Sequence, residues 1–157
     1  GEVLRNEIAK KTKLGIMAKA LIEDGHLIPD NVIIEMLASK LDDLNSSNGV
    51  IFDGFPRTTA QAEALKVMLE ERNTSVTFMI SLEVDKDEII DRLLKRGVSC
   101  GRADDNLKTI EKRIDIYFER TAPVIDFYKK EGTHYPVNGV GSVDSIFESI
   151  SAILDKA

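Results

Sequence analysis

The 157-residue sequence contains a single cysteine, Cys100, so the chain cannot form an intrachain disulfide or a cysteine-rich metal cluster. Long apolar runs are missing as well, and neither a membrane-spanning helix nor a signal peptide is predicted. Basic residues are outnumbered by acidic ones, since the chain has 21 lysines and arginines but 27 aspartates and glutamates. The net charge of -6 argues against a general partner among nucleic acids or membrane surfaces. A reducing cytoplasm is the expected compartment.

The composition is otherwise that of an ordinary soluble domain. Hydrophobic residues make up 43% and charged residues 31% of the chain, whose length suffices for one domain with a substantial core. Six of the eight arginines fall in the motifs described below, at positions 5, 57, 92, 96, 102 and 113. If folding draws them together, this acidic protein acquires a local site for anions. Scattered surface arginines are the simpler alternative.

One short stretch combines a buried strand with polar side chains at its end. Three apolar residues at 50–52 predict a strand, which an Asp-Gly pair at 53–54 ends and which Pro56 prevents from continuing. The carboxyl end of a buried parallel strand is where open α/β sheets bind ligands. Arg57 follows with a planar fork of donors suited to a phosphate, and Gln61 lies one helical turn further on. The plainer interpretation is a strand, a turn and a helix, in which the aspartate serves only the turn.

Apolar spacing and breaker residues predict the remaining elements. Two short helices are expected between residues 1 and 25, and the linker after them ends at Asp30, a suitable N-cap for the next helix. Strands and helices then alternate, which predicts a parallel sheet with right-handed crossovers. The predicted helices cover 31–44, 59–72, 86–96, a segment carrying Arg113, 117–131 with a kink or break at 121–123, and 142–156. The predicted strands are 50–52 and 76–82, and a short strand and turn are predicted at 135–139.

Arg92 and Arg96 lie four residues apart in the predicted 86–96 helix and share one of its faces. A short flexible break at 97–101 leads from them into Gly-Arg-Ala-Asp-Asp-Asn at 101–106. Taken alone, the two arginines fit a solvated helix face better than a binding site. His26 is likewise expected to be a surface residue rather than a catalyst.

The motif Asp-Gly-Phe-Pro-Arg-Thr at 53–58, followed by Gln-Ala-Glu at 61–63, resembles the signature of adenylate kinases, within the nucleoside monophosphate kinases. Gly-Glu-Val-Leu-Arg at 1–5 and Gly-His-Leu-Ile-Pro at 25–29 resemble the sequences that open and close the AMP-binding domain of that family. The likeness covers nearly the whole chain. It implies an α/β fold of the P-loop NTPase type, a three-layer arrangement with a parallel sheet and helices on both of its faces.

The resemblance implies a site for AMP. Arg5 and Arg57 would hold its phosphate, and the backbone at Leu27 and Ile28 would hold its adenine. Gln61 would read the adenine with an amide that both donates and accepts. The further residues that the resemblance places at the AMP site are Gly54, Arg102 and Arg113.

The resemblance also implies a site for ATP under a lid of the short type. The arginines that would grip the ATP phosphates and the transferred group are Arg92, Arg96, Arg102 and Arg113. Asp104 and Asp105 would make the contacts that close the lid. Backbone groups at Gly139 and Val140 would cover the ATP adenine. Asp53 would hold Mg²⁺ through water, and no zinc is expected because one cysteine rules out a four-cysteine zinc lid.

The implied activity is the reversible reaction of ATP with AMP to give two ADP, in adenine nucleotide homeostasis. The implied domains are an AMP-binding domain at 1–28, a short lid at 97–105, and a core formed by 29–96 and 106–157. The partners are ATP, AMP and ADP, and the full-length protein is expected to be a monomer.

The resemblance has one gap, because the family begins with a strand, a Gly-x-x-Gly-x-Gly-Lys phosphate loop and a helix. No such motif occurs in the 157 residues. In the family the first strand is central to a five-stranded sheet and the second lies at its edge. Without both, the predicted strands 50–52 and 76–82 would be separated and left with unpaired edges. The chain as given is therefore expected to be inactive by itself, and not a stable monomer with the family's sheet.

Two other functions stay open. A UMP/CMP kinase would share the fold and the arginines, although Thr-x-x-Gln-Ala after Arg57 favours AMP, since the pyrimidine enzymes typically have asparagines there. A non-catalytic nucleotide-binding fragment is favoured by the missing phosphate loop and opposed by the intactness of every other motif.

Overall fold

A computed structural model describes residues 2–24, 26–42, 49–101 and 104–156. Within these ranges the chain forms eight α-helices, one π-helical segment and a sheet of two strands. In chain order the elements are α1 (Glu2–Ala9), α2 (Lys13–Glu23), α3 (Asp30–Asp42), α4 (Thr59–Glu70), β1 (Met79–Glu83), α5 (Lys86–Cys100), α6 (Leu107–Ile116), the π-helix Tyr117–Thr121, α7 (Ala122–Lys130), β2 (His134–Asn138) and α8 (Val143–Leu154). A helix with the length and apolar character to span a bilayer is not found among them.

The two strands confirm the predicted parallel pairing. Met79 of β1 lies opposite His134 of β2, and Glu83 lies opposite Asn138. The helices α5 to α7 connect the strands, as a parallel pair requires a long crossover. β1 begins later than the predicted strand 76–82, whereas β2 begins one residue before its predicted start.

Residues 50–52 do not form a strand, so that prediction is wrong. Their apolar sequence suits a strand, but a strand needs a neighbour that pairs with its backbone. No residue in the described ranges pairs with them. Ile51 is 93% exposed, whereas Phe52 packs against the cluster that contains Leu41 and Leu65. Side-chain packing therefore holds this segment in place of sheet hydrogen bonds.

Local capping sets several helix starts. The residues that precede α2, α4, α6 and α8 each accept a hydrogen bond from a backbone N–H three residues later; they are Thr12, Thr58, Asn106 and Ser142. Asp30, predicted as an N-cap, is instead the first residue of α3. Its carboxylate accepts hydrogen bonds from Thr58 and Gln61, which takes it away from the helix end.

The predicted break at 97–101 is wrong for most of its length, because α5 continues to Cys100. Gly101 then ends the helix with a φ of 62°, a left-handed conformation that glycine adopts without strain. Further along, the irregularity predicted at 121–123 is confirmed. The π-helix Tyr117–Thr121 lies directly before Pro123, which lacks the N–H that an uninterrupted α-helix would use.

The helix α4 is the centre of the packing. One part of its surface meets α3 in a cluster of Leu41, Leu65, Met68 and Leu69. Another part meets α7, where Ala62 packs with Val124 and Tyr128. A separate cluster of Leu4, Ala18 and Ile28 holds the confirmed pair of short helices, α1 and α2, to the linker after them. The turn before α4, which carries predicted site residues, therefore leads into a helix that packs on two sides.

Tyr128 allows a test of the α4–α7 contact. Burial raises the pKa of its phenol to about 12, and the charge of Glu131 acts in the same direction. A tyrosine in an unfolded chain has a pKa of about 10. Between these two pH values the folded chain keeps a proton that the unfolded chain has lost, so stability falls as pH rises. Relative to Tyr128→Phe, the parent should lose about 2–3 kcal/mol of unfolding free energy between pH 9 and pH 12 in urea titrations. Parallel pH profiles for the two proteins would contradict this.

Candidate functional site

The Asp-Gly-Phe-Pro-Arg turn folds Arg57 back onto its own backbone. Nε of Arg57 donates to the carbonyl oxygen of Gly54 at 2.7 Å. Gly54 has a φ of 68°, and a Cβ added there would lie 3.0 Å from Nη2 of Arg57. Glycine is thus needed both for the turn and for the close approach of the guanidinium. The Phe55–Pro56 peptide bond is cis. Asp53 and Arg57 share this turn, and both residues are exposed.

The charge of Arg57 is poorly compensated by its surroundings. Partial burial of the guanidinium lowers its pKa, and the positive charge of Arg113 lowers it further, while Asp53 raises it by a smaller amount. Arginine nevertheless stays protonated in proteins. The guanidinium thus lies where burial and Arg113 disfavour its positive charge more than Asp53 favours it. An anion with oxygens that fit its donors, such as a phosphate, would supply a counter-charge.

Gln61 is buried in the first turn of α4, with 3% of its surface exposed. Its Oε1 accepts from the backbone N–H of Arg57 at 2.7 Å, and its Nε2 donates to Oδ1 of Asp30 at 2.7 Å. Oδ2 of Asp30 accepts from the hydroxyl of Thr58 at 3.0 Å. That hydroxyl also accepts from the backbone N–H of Gln61 at 3.2 Å. The Gln61 amide, which was predicted to recognise a base, therefore donates a hydrogen bond to Asp30. From the sequence, Asp30 was predicted only to cap a helix.

Asp105 joins two of the predicted lid arginines, and its side chain is 0% exposed. Its Oδ2 accepts from Nε of Arg96 at 2.6 Å, and its Oδ1 accepts from Nη2 of Arg96 at 2.9 Å. Nη1 of Arg113 donates to the same Oδ1 at 3.2 Å and to Oδ2 of Asp104 at 3.1 Å. These bonds to Asp105 raise the pKa of Arg96. Gly97 permits the contact, because a Cβ there would lie 2.7 Å from the backbone oxygen of Asp105.

Arg92 belongs to a different group of contacts. Its Nε donates to Oε1 of Glu88 at 2.6 Å, and its Nη1 donates to the carbonyl oxygen of Gly139 at 2.9 Å. In the same loop the backbone N–H of Val140 donates to Oδ1 of Asn138 at 2.9 Å. The structure thus brings Arg92 to the loop after β2, which the sequence assigned separately to the ATP adenine.

A cavity of about 350 Å³ lies beside the linker between α2 and α3. Its lining comes from the linker, α6 and the π-helix and consists of His26, Leu27, Lys112, Asp115, Ile116, Glu119 and Arg120. Leu27 is the member that the sequence had placed at an AMP site, and Ile28 beside it is buried in the helix cluster. Lys112 and Arg120 belong to no motif, so they were not predicted from the sequence as members of a site.

The predicted residues therefore fall into separate groups. Arg57 and Gln61 lie at the turn before α4, and the backbone oxygen of Arg57 accepts from the hydroxyl of Thr121 at 2.9 Å. Arg96 and Arg113 both bond to Asp105. Arg113 is also near enough to Arg57 to lower its pKa. Arg102 and the side chain of Arg5 lie outside the described residues.

Asp53 is the predicted metal-binding residue. In the described ranges no three His, Cys, Asp or Glu side chains form a group that could hold a metal ion. One exposed carboxylate is nevertheless compatible with Mg²⁺, which nucleotide enzymes commonly hold through one or two carboxylates, waters and the substrate phosphates. The donor chemistry at Asp53 therefore fits a magnesium–nucleotide complex rather than a protein-enclosed metal.

The parallel strands, the Arg57 turn and the arginine–aspartate cluster are features suited to phosphorylated ligands. A family model described as Adenylate kinase matches residues 1–133. Curated adenylate kinases align with 99% of the chain: the enzyme of Phocaeicola vulgatus is 54% identical and that of Bacteroides thetaiotaomicron 53%, each over 82% of its own length. The adenylate kinase of Porphyromonas gingivalis is 43% identical over 80% of its length. The protein is accordingly a phosphotransferase of the nucleoside monophosphate kinase class. Within that class, the chain belongs to the adenylate kinase family.

Proposed function

We propose that the protein transfers a phosphoryl group reversibly from ATP to AMP, giving two ADP, and so serves adenine nucleotide homeostasis in the cytoplasm. The observation that carries the proposal is the meeting of Arg96 and Arg113 on Asp105, with Arg57 within electrostatic reach of Arg113. Converging cations suit this chemistry, because phosphoryl transfer depends on positioning and charge stabilisation more than on covalent steps by the protein. Names of the similar proteins support the same reaction.

On the acceptor side, Arg57 and Arg5 hold the phosphate of AMP. The disfavoured positive charge at Arg57 supports this role, since phosphate binding would relieve it. Gln61 reads the adenine, with backbone groups at Leu27 and Ile28 beside it. The remaining members of the proposed AMP site are Gly54, Arg102 and Arg113.

On the donor side, lid arginines neutralise the ATP phosphates and the transferred group. They are Arg92, Arg96, Arg102 and Arg113. Asp104 and Asp105 keep two of them in place through the hydrogen bonds described above. The loop at Gly139 and Val140 holds the ATP adenine through its backbone.

Closure of two mobile parts excludes water and so suppresses ATP hydrolysis, behaviour for which the adenylate kinase lid is a standard example. The proposed mobile parts are residues 1–28 and the lid 97–105, and the core comprises 29–96 and 106–157. Because α5 extends to Cys100, the first part of this lid is helical. Asp53 would hold Mg²⁺ through water, and the bound ion would supply positive charge to the phosphate oxygens.

A non-catalytic nucleotide-binding function is the second candidate. Such a protein would bind AMP through the same Arg57 turn and form no ADP.

The test is a coupled assay of ADP formation from ATP, AMP and Mg²⁺, on protein whose intact mass of 17.4 kDa has been verified. The same assay is run on a fusion protein, in which this chain is joined to the part of the Phocaeicola vulgatus adenylate kinase that does not align with it. We expect ADP from the fusion protein only, and AMP to be a better acceptor than CMP or UMP.

Each other result has a distinct meaning. ADP formation by the 157-residue chain alone would contradict the expected need for a phosphate loop. Preference for CMP or UMP would indicate a pyrimidine nucleotide kinase. AMP binding without ADP formation in either protein would support the non-catalytic function.

A further inference from the structure

Asp30 connects segments that are distant in the sequence. Its carboxylate accepts hydrogen bonds from Gln61 and Thr58, which lie 31 and 28 residues away. These two partners are almost completely buried, with 3% and 5% of their surfaces exposed. Hydrogen bonds to a carboxylate are about twice as strong as neutral ones, and shielding from water strengthens them further. Asp30 is thus well placed to control the side chain of Gln61.

The two bonds to the Gln61 amide determine which way round it lies. A backbone N–H can only donate, so the amide atom 2.7 Å from the nitrogen of Arg57 is the oxygen. A carboxylate can only accept, so the amide atom 2.7 Å from Asp30 is the nitrogen. Turning the amide over would set N–H against N–H and oxygen against carboxylate. Asp30 and the Arg57 backbone together therefore select one orientation.

The selected orientation leaves part of the amide without a hydrogen-bond partner, on a side chain that is 3% exposed. One hydrogen on Nε2 and one lone pair on Oε1 have no partner among the residues that the structure describes. An amide that offers one donor and one acceptor on the same edge matches adenine, whose N1 accepts and whose 6-amino group donates. A 6-oxopurine presents the reverse pattern, because its N1–H donates and its O6 accepts. In the fixed amide it would meet donor with donor and acceptor with acceptor.

We propose that Asp30 is a positioning residue that sets the base specificity of the acceptor site, by holding the Gln61 amide in the orientation that accepts adenine and rejects 6-oxopurines. The inference rests on the proposed function in one respect, that Gln61 reads the base of the acceptor nucleotide. Asp30 acts through Gln61. Rejection of the wrong base comes from mismatched polar groups, which discriminate more strongly than small differences in shape.

Asp30→Asn is the test, because it keeps the shape of the side chain and replaces the obligate acceptor with a group that both donates and accepts. The charge-assisted bond to Gln61 is lost, and with it much of the preference for one amide orientation. We expect the Kd for AMP to rise about tenfold, which corresponds to about one molecule in ten keeping the amide in the orientation that accepts adenine. The Kd for inosine 5′-monophosphate should rise no more than about twofold or should fall, because the turned amide matches a 6-oxopurine, so the ratio of the inosine 5′-monophosphate constant to the AMP constant falls about fivefold or more. Calorimetric titration with each nucleotide measures both constants without phosphoryl transfer.

Glu35→Gln is the matched control, since it makes the same change of charge at an exposed position of α3. It should leave both constants within about twofold of the parent. A merely structural role for Asp30 would weaken both nucleotides alike and leave their ratio unchanged, and that result would overturn the inference. Comparable affinity of the parent for AMP and inosine 5′-monophosphate would also overturn it, even if the variant failed to fold. Failure of the parent to bind AMP would instead count against the proposed function.

Discussion

Replacement of Arg57 by methionine is expected to raise the Kd for AMP about 100-fold, equivalent to about 2.7 kcal/mol, without destabilising the fold. The guanidinium would lose its bonds to the phosphate, whereas the apolar part of the side chain would be kept. Burial and the charge of Arg113 already act against the Arg57 cation in the absence of ligand. The exposed hydrogen bond to Gly54 is lost as well, and the two effects oppose each other, so the free energy of unfolding should stay within about 1 kcal/mol of the parent, which separates a binding role from a structural one.

Arg72→Met provides the control for this experiment, because it removes the same charge at the other end of α4. Nη1 of Arg72 donates to the carbonyl oxygen of Met68 at 2.7 Å, away from the Arg57 turn. Calorimetry should give an AMP affinity within about twofold of the parent for this variant. If Arg57→Met bound AMP as well as Arg72→Met does, the phosphate-binding role of Arg57 would be wrong.

Asp105→Ala is expected to destabilise the protein by about 3 kcal/mol, because it removes the buried counter-charge of Arg96 and leaves Arg113 with Asp104 alone of the two carboxylates that it contacts in the described structure. Asp105 is 0% exposed in its side chain, and it accepts three hydrogen bonds from Arg96 and Arg113. The side chain of Arg96 is 38% exposed, so water can partly rehydrate the released cation, which keeps the loss at the low end for buried pairs. The melting temperature should fall by roughly 6–10 °C for a chain of this size.

The corresponding surface variant is Asp91→Ala, which removes the partner of Lys95 on the outer face of α5. Exposed pairs of this spacing contribute little to stability, so Asp91→Ala should unfold close to the parent. Urea unfolding of the two variants beside the parent measures the difference. A loss for Asp105→Ala no larger than that for Asp91→Ala would show that the cluster does not hold the lid arginines in place.

Helices could be predicted well from the sequence because their signals are local. Thr58 caps α4 with a hydroxyl three residues from the N–H it satisfies, and Asn106 does the same for α6. Pro123 likewise predicts an irregular helix, because proline lacks the backbone N–H that a regular helix needs. In each case the cause and the effect lie within one or two turns of the chain.

Interactions between distant segments could not be predicted in this way. The apolar residues 50–52 suit a strand, but their sequence says nothing about whether a neighbour is present to pair with them. The hydrogen bond from Arg92 to Gly139 joins residues that are 47 positions apart in the sequence. The helical period shows which face of its helix Arg92 occupies, but it does not show what that face contacts. The resemblance to adenylate kinases named the arginines of the site, but the hydrogen bonds that orient Gln61 became visible only with the folded chain.

Arg113 is a shared member of two parts of the molecule. It bonds to Asp104 and Asp105, and its charge also acts on Arg57 in the turn before α4. A change of charge in either part therefore alters the energy of the other without any movement of the backbone. The free-energy effects of substitutions at Arg57 and at Asp105 should not be additive, although no hydrogen bond or ion pair joins these two residues in the described structure. Arg113 would in this way couple the proposed acceptor turn energetically to the proposed lid.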